Sequence, residues 1–447
     1  MSSLVADAKS IWQAAVEAVD SEQLTSAAIK FTGHSLQVGT QHYALSANSR
    51  IFVIGAGKAG SGMARGVLNA LQDSGLQVLG WVNVPEDCVQ TIPNITLHGA
   101  RPAGLNEPTE QGVAGTDQII NILQQAKADD VCICLISGGG SALLPSPIPK
   151  ITLAEKQLLT RKLSAAGANI KQLNSVRKKL SKVKGGGLAQ YCRNSRLVTL
   201  VISDVLGDPL DIIASGPTVI DPASIEQAVE TVRELLDEND PVVHKCLEVL
   251  RNLPVAEYSF VHCDTQIIGN NATAVNAAAQ KAQQLGYLTE SLAHLTLEGY
   301  AEELGREHAE KLRQMRQLEG KRAYISGGEP VVKLVNEKIR GKGGRNQQLV
   351  LAAIVDQLNH SPDIARCMDN AVVLAGGTDG EDGPTNAAGA MADQQLIKRL
   401  MRHKPDAADH LQRNDAYTFF ELLDGLILCG PTHTNVCDIR VILTKPS

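Results

Sequence analysis

At 447 residues the chain is too long for a single hydrophobic core, so two domains are expected. An aromatic share of 3% and a net charge of −6 leave few stacking platforms and little cationic surface for nucleic acid. The nine cysteines include no C-x-x-C and the eleven histidines no H-E-x-x-H, while apolar runs of about six residues fall far short of the roughly 20 needed to span a bilayer. Zinc, redox-pair and membrane functions therefore drop out, and reduced thiols in the cytoplasm are the expected state.

In chain order, residues 6–30 carry Ile11, Ala14, Ala15 and Ala18 at helical spacing and predict one helix. This acidic, amphipathic start has no long apolar core, so a secretory signal is not expected. Residues 51–54 predict the first buried strand. A small-residue turn follows, and Met63-Ala64-Arg65 can open a helix. A second strand is expected at 78–84. Asn106-Glu107-Pro108-Thr109 can cap a helix over 110–126. The runs VCICLI (131–136) and LVTLVI (197–202) suit strands buried on both faces of a parallel sheet. Strands alternating with helices indicate an α/β protein.

Residues 225–253 are charged and helical. The domain boundary is expected near 240–262, giving domains 1–255 and 256–447. Strands are predicted in the second half at 265–269, 322–326, 331–335, 371–375, 426–428 and 439–443, with helices over 272–285 and 298–318.

Both halves share one pattern: apolar strands end in loops of Gly, Ser and Asp. Ile54 precedes GAGKAG, Ile136 precedes SGGGS, and Ile202 precedes SDVLGD. Ile325 precedes SGGEP and Ala375 precedes GGTDGEDGP. Ligands collect at the carboxyl ends of parallel strands, so these loops predict one shared cleft. The plainer alternative is that small polar residues are ordinary turn chemistry.

Gly55, Gly57 and Gly60 match G-x-G-x-x-G, with Lys58 inside the loop. The acid expected about 20 positions on for a ribose is absent, since residues 75–80 read GLQVLG, and Asp87 comes later. The loop therefore suits an anion better than NAD. Ser137, Gly138, Gly139, Gly140 and Ser141 can turn N–H groups and hydroxyls inward as an anion nest. Arg177 to Lys184 holds five cations in eight residues. Some must be solvated, and Arg177 or Lys184 is expected to reach an anionic ligand. Asp204 and Asp208 stand four apart after a strand, and Asp379, Glu381 and Asp382 share one loop. Such carboxylates serve as general bases or hold Mg²⁺, or merely cap turns. Gly343-Gly344-Arg345-Asn346 opens a helix with a cation where the helix dipole disfavours one, which is more natural if Arg345 points at an anion.

Taken in order, GAGKAG, SGGGSALL, NSVRKKLSKVKGGGLA, SDVLGDPLDIIASGPT, SGGEP, GKGGRNQ, GGTDGEDGPTNAAGA and GPTHTNV resemble the class II glycerate 2-kinases, from about Val53 to Arg440. The resemblance implies a Rossmann-like N-terminal α/β domain, a second α/β domain of MOFRL type, and an active site in the cleft between them. It implies ATP-dependent, Mg²⁺-assisted phosphorylation of D-glycerate at its 2-hydroxyl. Lys58 matches the family's catalytic lysine and Arg345 its catalytic arginine. Asp204 and Asp379 match acids near substrate or metal, and either could hold Mg²⁺ or accept the hydroxyl proton. Substrate or ATP contacts are expected from Gly55, Gly57, Gly60, Ser137, Gly138, Gly139, Gly140, Ser141, Arg177, Lys184, Asp208, Gly343, Gly344, Asn346, Gly376, Gly377 and Thr378. The partners implied are D-glycerate and ATP, with no nucleic acid or membrane and room for a homodimer. Gln348, Asn386, His433 and Cys437 depart from the family's usual residues. The alternative is an NAD(P)-dependent hydroxypyruvate reductase, a label some relatives have carried.

Overall fold

The protein is described from a computed structural model covering residues 3–192, 195–254 and 263–446. The chain forms two compact α/β units. One comprises Ser21–Ser203 and Asp208–Ile268; the other comprises Met1–Asp20, Asp204–Gly207 and Gly269–Ser447. They are called the parallel-sheet and mixed-sheet units below. The expected boundary between residues 255 and 256 lies outside the described residues. Its premise, a single cut, does not hold, because the N-terminal segment belongs with the second half of the chain.

The predicted helix over 6–30 is two helices, Leu4–Glu17 and Ser21–Ala27. The first buries Ile11, Trp12, Ala15 and Val16 in the mixed-sheet unit, where Trp12 Nε1 donates to the Gly376 carbonyl (3.2 Å). The second packs in the parallel-sheet unit against the helix Gly60–Leu71, with Arg65 paired to Glu22 at 2.6 Å. Two destinations for one apolar stripe require a break, and it falls at residues 18–20. Periodicity cannot show it, because both halves keep helical spacing.

The parallel-sheet unit opens with a small antiparallel sheet, β1 (Ile29–Phe31), β2 (Ser35–Val38) and β3 (Gln41–Ala44). Its main sheet contains β4 (Arg50–Ala56), β5 (Gln77–Pro85), β6 (Ile95–Arg101), β7 (Val131–Ile136), β8 (Arg196–Ile202) and β9 (Cys263–Gly269), whose last residue is counted with the mixed-sheet unit. The order is β6-β5-β4-β7-β8-β9, and β4 pairs in parallel with both β5 and β7. Counted from β4, this is the 3-2-1-4-5-6 order of doubly wound sheets. β7 is buried throughout and β8 from Leu197 onward, as their unbroken apolar runs require. The order reverses between β4 and β7, so GAGKAG and SGGGS leave the sheet side by side at its switch point.

The mixed-sheet unit contains β10 (Leu288–Ala293), β11 (Arg322–Gly328), β12 (Ala371–Gly377), β13 (Gly389–Asp393), β14 (Leu426–Ile427) and β15 (Asp438–Thr444), in the order β10-β11-β15-β12-β13-β14. β15 runs antiparallel to both neighbours, so β11 and β12 point the same way. The helices Ala301–Arg316 and Arg345–His360 pack together, and the core includes Leu349, Ile354, Phe419, Phe420 and Ile442. The predicted strand at 331–335 is absent. Only Val331 forms a bridge, to Tyr300, while Val332 packs against the core and Val335 N donates to Asn414 Oδ1 (2.9 Å) instead of to a neighbouring strand. Among the described residues no helix is long and apolar enough to cross a membrane.

Candidate active site

In the parallel-sheet unit, β4 delivers Gly57 and Lys58 beside the loop that leaves β7. Lys58 N donates to the Gly138 carbonyl (2.9 Å) and Ala59 N to Ser137 Oγ (3.0 Å), so each loop holds the other. Gly57 has φ +153°, and a Cβ there would collide with Ser137, so this contact requires glycine. Gly139 has φ +77°, and a Cβ on it would lie 3.2 Å from Arg101 Nη2 and 3.7 Å from Lys58 Cγ. Two cations therefore flank the SGGGS turn. Arg101, at the end of β6, is 3% exposed and its Nε has no hydrogen-bond partner. Burial holds its guanidinium below the ordinary range, against the nearby charge of Asp87. The anion that such a nest suits is compact and multiply charged.

The second serine of that loop gathers further cations. Ser141 Oγ lies 2.6 Å from Lys184 Nζ, 3.2 Å from Arg177 Nη2 and 2.9 Å from Ser215 Oγ. Lys184 Nζ also donates to the Ser141 carbonyl (2.8 Å). The basic strip thus divides as its length demands. Lys178 and Lys179 pair with buried Asp221 at 3.2 and 2.9 Å, Lys182 pairs with Asp117, and Arg177 and Lys184 turn to Ser141.

In the mixed-sheet unit the register of β15 sets the geometry. Asp438 stands opposite Gly328 of β11 and Gly377 of β12, so residues just beyond both strand ends converge on it. Arg345, the first residue of its helix, binds Asp438 through Nε–Oδ2 (2.7 Å) and Nη2–Oδ1 (3.1 Å), and Glu329 through Nη1–Oε1 (2.7 Å). Burial opposes its charge, but Asp438 and Glu329 outweigh that and hold the guanidinium above its usual range. The helix dipole that disfavours Arg345 is met by Asp382, whose carboxylate accepts from Asn346 N (3.0 Å) and Gln347 N (2.8 Å). Burial pushes the Asp382 carboxyl up to about 7 even so.

Asp204 belongs to this unit, and its carbonyl accepts from Cys437 Sγ (3.1 Å). Burial raises the Cys437 thiol, with Glu329, Asp438 and Asp204 adding to the shift, so this cysteine stays protonated. A Cβ on Gly377 would sit 3.0 Å from Asp379 Oδ1 and 3.5 Å from Asp438 Oδ1. The bare glycine thus leaves a small cradle between two carboxylates. Among the described residues no group of three or more His, Cys, Asp or Glu is poised as a complete ligand set. Arg345 occupies both oxygens of Asp438, which leaves Asp379 as the carboxylate here, and one carboxylate is enough for Mg²⁺, which keeps several waters and takes its remaining oxygens from phosphate.

The structure places other predicted residues in structural roles. Gly55 backs onto Leu135 and Gly60 onto Val82 and Val84. Gly140 faces Ala56 and Ala214, and Gly376 meets Trp12. Thr378 Oγ1 donates to the Cys437 carbonyl (2.8 Å) and accepts from Val436 N, which anchors the approach to β15. Asn346 is buried against Asp382, Gly343 lies against the backbone of Asn414 and Ala416, and Gly344 is the N-cap against Asp382. Asp208, four residues from Asp204, falls in the other unit. Sequence reasoning missed Arg101, Glu329 and Asp438 as site residues. Glu329 had a signal, its place after SGG at a strand end; Arg101 and Asp438 had none. The acid thought missing also changes character: β5 runs longer than predicted and ends directly before Glu86 and Asp87.

Residues 7–248 match a domain family of unknown function (DUF4147), and residues 322–438 match the MOFRL family. A glycerate kinase of Danio rerio is 35% identical over 100% of this chain and 99% of its own length. A relative from Agrobacterium vitis that bears a provisional hydroxypyruvate reductase name is 36% identical over 88% of this chain and 99% of its own. The crystal structure of a glycerate kinase from Thermotoga maritima superposes with a TM-score of 0.82, at 29% identity and 98% coverage of both chains.

Proposed function

The chain belongs to the glycerate kinase family, and we propose that it transfers the γ-phosphoryl group of ATP to the 2-hydroxyl of D-glycerate, giving ADP and 2-phosphoglycerate. The hydroxyl oxygen forms a bond to the γ-phosphorus as the bond to the ADP oxygen breaks. The hydroxyl proton passes to a carboxylate, Asp379 or Asp204. Phosphoryl transfer asks for positioning and charge neutralisation more than for covalent help. Lys58 and the amides of SGGGS offer a preorganised field for phosphate oxygens. Arg345 meets charge on the transferring group or the glycerate carboxylate. Asp438 and Glu329 fix the plane of its guanidinium, as bidentate pairs do. Whichever of Asp379 and Asp204 does not take the proton would hold Mg²⁺; when bound, the ion would neutralise phosphate charge.

The observation that supports this reading most is the convergence of Arg345, Asp438, Glu329 and Asp379 at one sheet edge. The test mixes protein, ATP, Mg²⁺ and D-glycerate and assigns the product by phosphorus NMR. 2-Phosphoglycerate is expected. 3-Phosphoglycerate rejects the regiochemistry, and no ADP release with any short hydroxy acid rejects the kinase.

One observation favours a second reading. Glu86 and Asp87 follow β5 in a doubly wound sheet, where dinucleotide-binding proteins keep their ribose acid. Hydroxypyruvate-dependent loss of NADH absorbance would establish that activity. None is expected, because Lys58 and Arg101 make the switch point better suited to a more highly charged anion.

A further inference from the structure

A cavity of about 220 Å³ opens beside Ser141 in the parallel-sheet unit, lined in part by Lys156, Arg177, Lys184, Pro145 and Leu153. We propose that this cavity is the carboxylate-binding subsite for the small hydroxy-acid substrate, and that Lys156 is its third binding cation beside Arg177 and Lys184. The substrate's identity rests on the kinase reading above; the binding of a small carboxylate does not.

The charge balance carries the inference. Lys156 and Lys184 are buried, at 9% and 6% exposure. Lys156 Nζ donates to the Leu180 carbonyl (2.8 Å), and Lys184 and Arg177 meet on Ser141. Their hydrogen bonds are to neutral oxygens. The acid among the lining residues, Glu107, is exposed. Burying several like charges against hydroxyl and carbonyl oxygens is costly unless an anion completes the set. The strain shows in the side chains: burial and the charge of Arg177 push the Lys156 ammonium down to about 7, and burial with Arg177, Lys156 and Lys178 pushes Lys184 well down too. Ser141 Oγ, approached by two cations, marks where an oxyanion would bind.

Size and lining select a carboxylate on a short chain. A cavity near 220 Å³ is below the roughly 300–1,000 Å³ of sites that enclose larger ligands, so a nucleoside triphosphate does not fit within it. Pro145 and Leu153 give the cavity an apolar wall, which suits a carbon backbone. Ser141 is also the last residue of SGGGS, so the subsite adjoins the turn flanked by Lys58 and Arg101. The acid's carboxylate and a phosphate group can thus each keep cations of their own.

Calorimetry of the full chain tests this without turnover, using D-glycerate, ATP and inorganic phosphate as separate titrants. Lys156→Met is expected to weaken D-glycerate binding by about 10-fold or more, as loss of a charged hydrogen bond does, with ATP binding unchanged. Lys156→Arg should restore part of the affinity. In steady state the KM for glycerate rises while kcat changes little, since the contact serves ground and transition states alike. Arg177→Met tests the same cavity if Lys156→Met does not fold. Unchanged glycerate affinity in folded variants overturns the proposal, and so does a loss confined to ATP or to inorganic phosphate. Lys156-dependent glycerate binding without ADP release rejects the kinase and keeps the subsite; turnover with Lys156-independent binding does the reverse.

Discussion

Arg345 and Asp438 face each other in a two-point ion pair, with the Asp438 side chain 1% exposed and the arginine 32% exposed. The acid is locked inside the sheet edge and the cation reaches outward from it. Removing either partner has consequences beyond the lost contact.

Arg345→Ala is expected to lose most turnover and also to lower stability. It leaves Asp438 buried without its partner, which typically costs about 3–5 kcal/mol. Adding Asp438→Asn removes the orphaned charge and should recover much of the melting temperature, but not the activity. Thermal unfolding and kcat, measured on the single and double variants, separate the two effects. A double variant with restored turnover would reject the catalytic role of Arg345.

Lys58→Ala should behave differently. The loop around Lys58 is held through its backbone, by Lys58 N to the Gly138 carbonyl and Ala59 N to Ser137 Oγ. We expect the variant to fold and kcat to drop by about 10²–10³, typical for loss of one preorganised donor. Wild-type turnover in this variant would reject the assignment.

His308 supplies a pH signature remote from turnover. It is buried, with Nδ1 2.8 Å from the Leu304 carbonyl and Nε2 3.2 Å from Ser326 Oγ. Burial, with the charge of Arg440 adding to it, pushes the imidazole down to about 3 from 6.5. The unfolded chain therefore binds the proton more readily over that interval. The stability His308 contributes is full above pH 6.5 and is lost as pH falls towards 3. Denaturant unfolding of wild type and His308→Gln across pH 4–7 should show a shallower slope for the variant. Parallel slopes would reject this linkage.

The doubly wound sheet and the loops at its strand ends were legible because their signals are local. A strand buried on both faces must be continuously apolar, as β7 and β8 are, and the turns that leave the sheet need glycine and serine. The strands that were missed, β1, β2, β3, β6, β10 and β13, are short or carry polar residues, so no unbroken apolar run marks them. Asp438 is a single acid opening a strand, 93 residues from Arg345 in sequence. Only the antiparallel placement of β15 between β11 and β12 makes it a partner.

Lys156 shows the same limit from the other side. In LAEKQLLTRK it has the look of a surface lysine, and burial against Leu180 decides otherwise. The sequence alone determined the α/β class and the glycine- and serine-rich loops at the strand ends, because each rests on neighbours in the chain. The tertiary structure decided which charges pair, which are buried without a carboxylate, and which unit claims the first helix. Those depend on distances between residues that sequence spacing does not constrain.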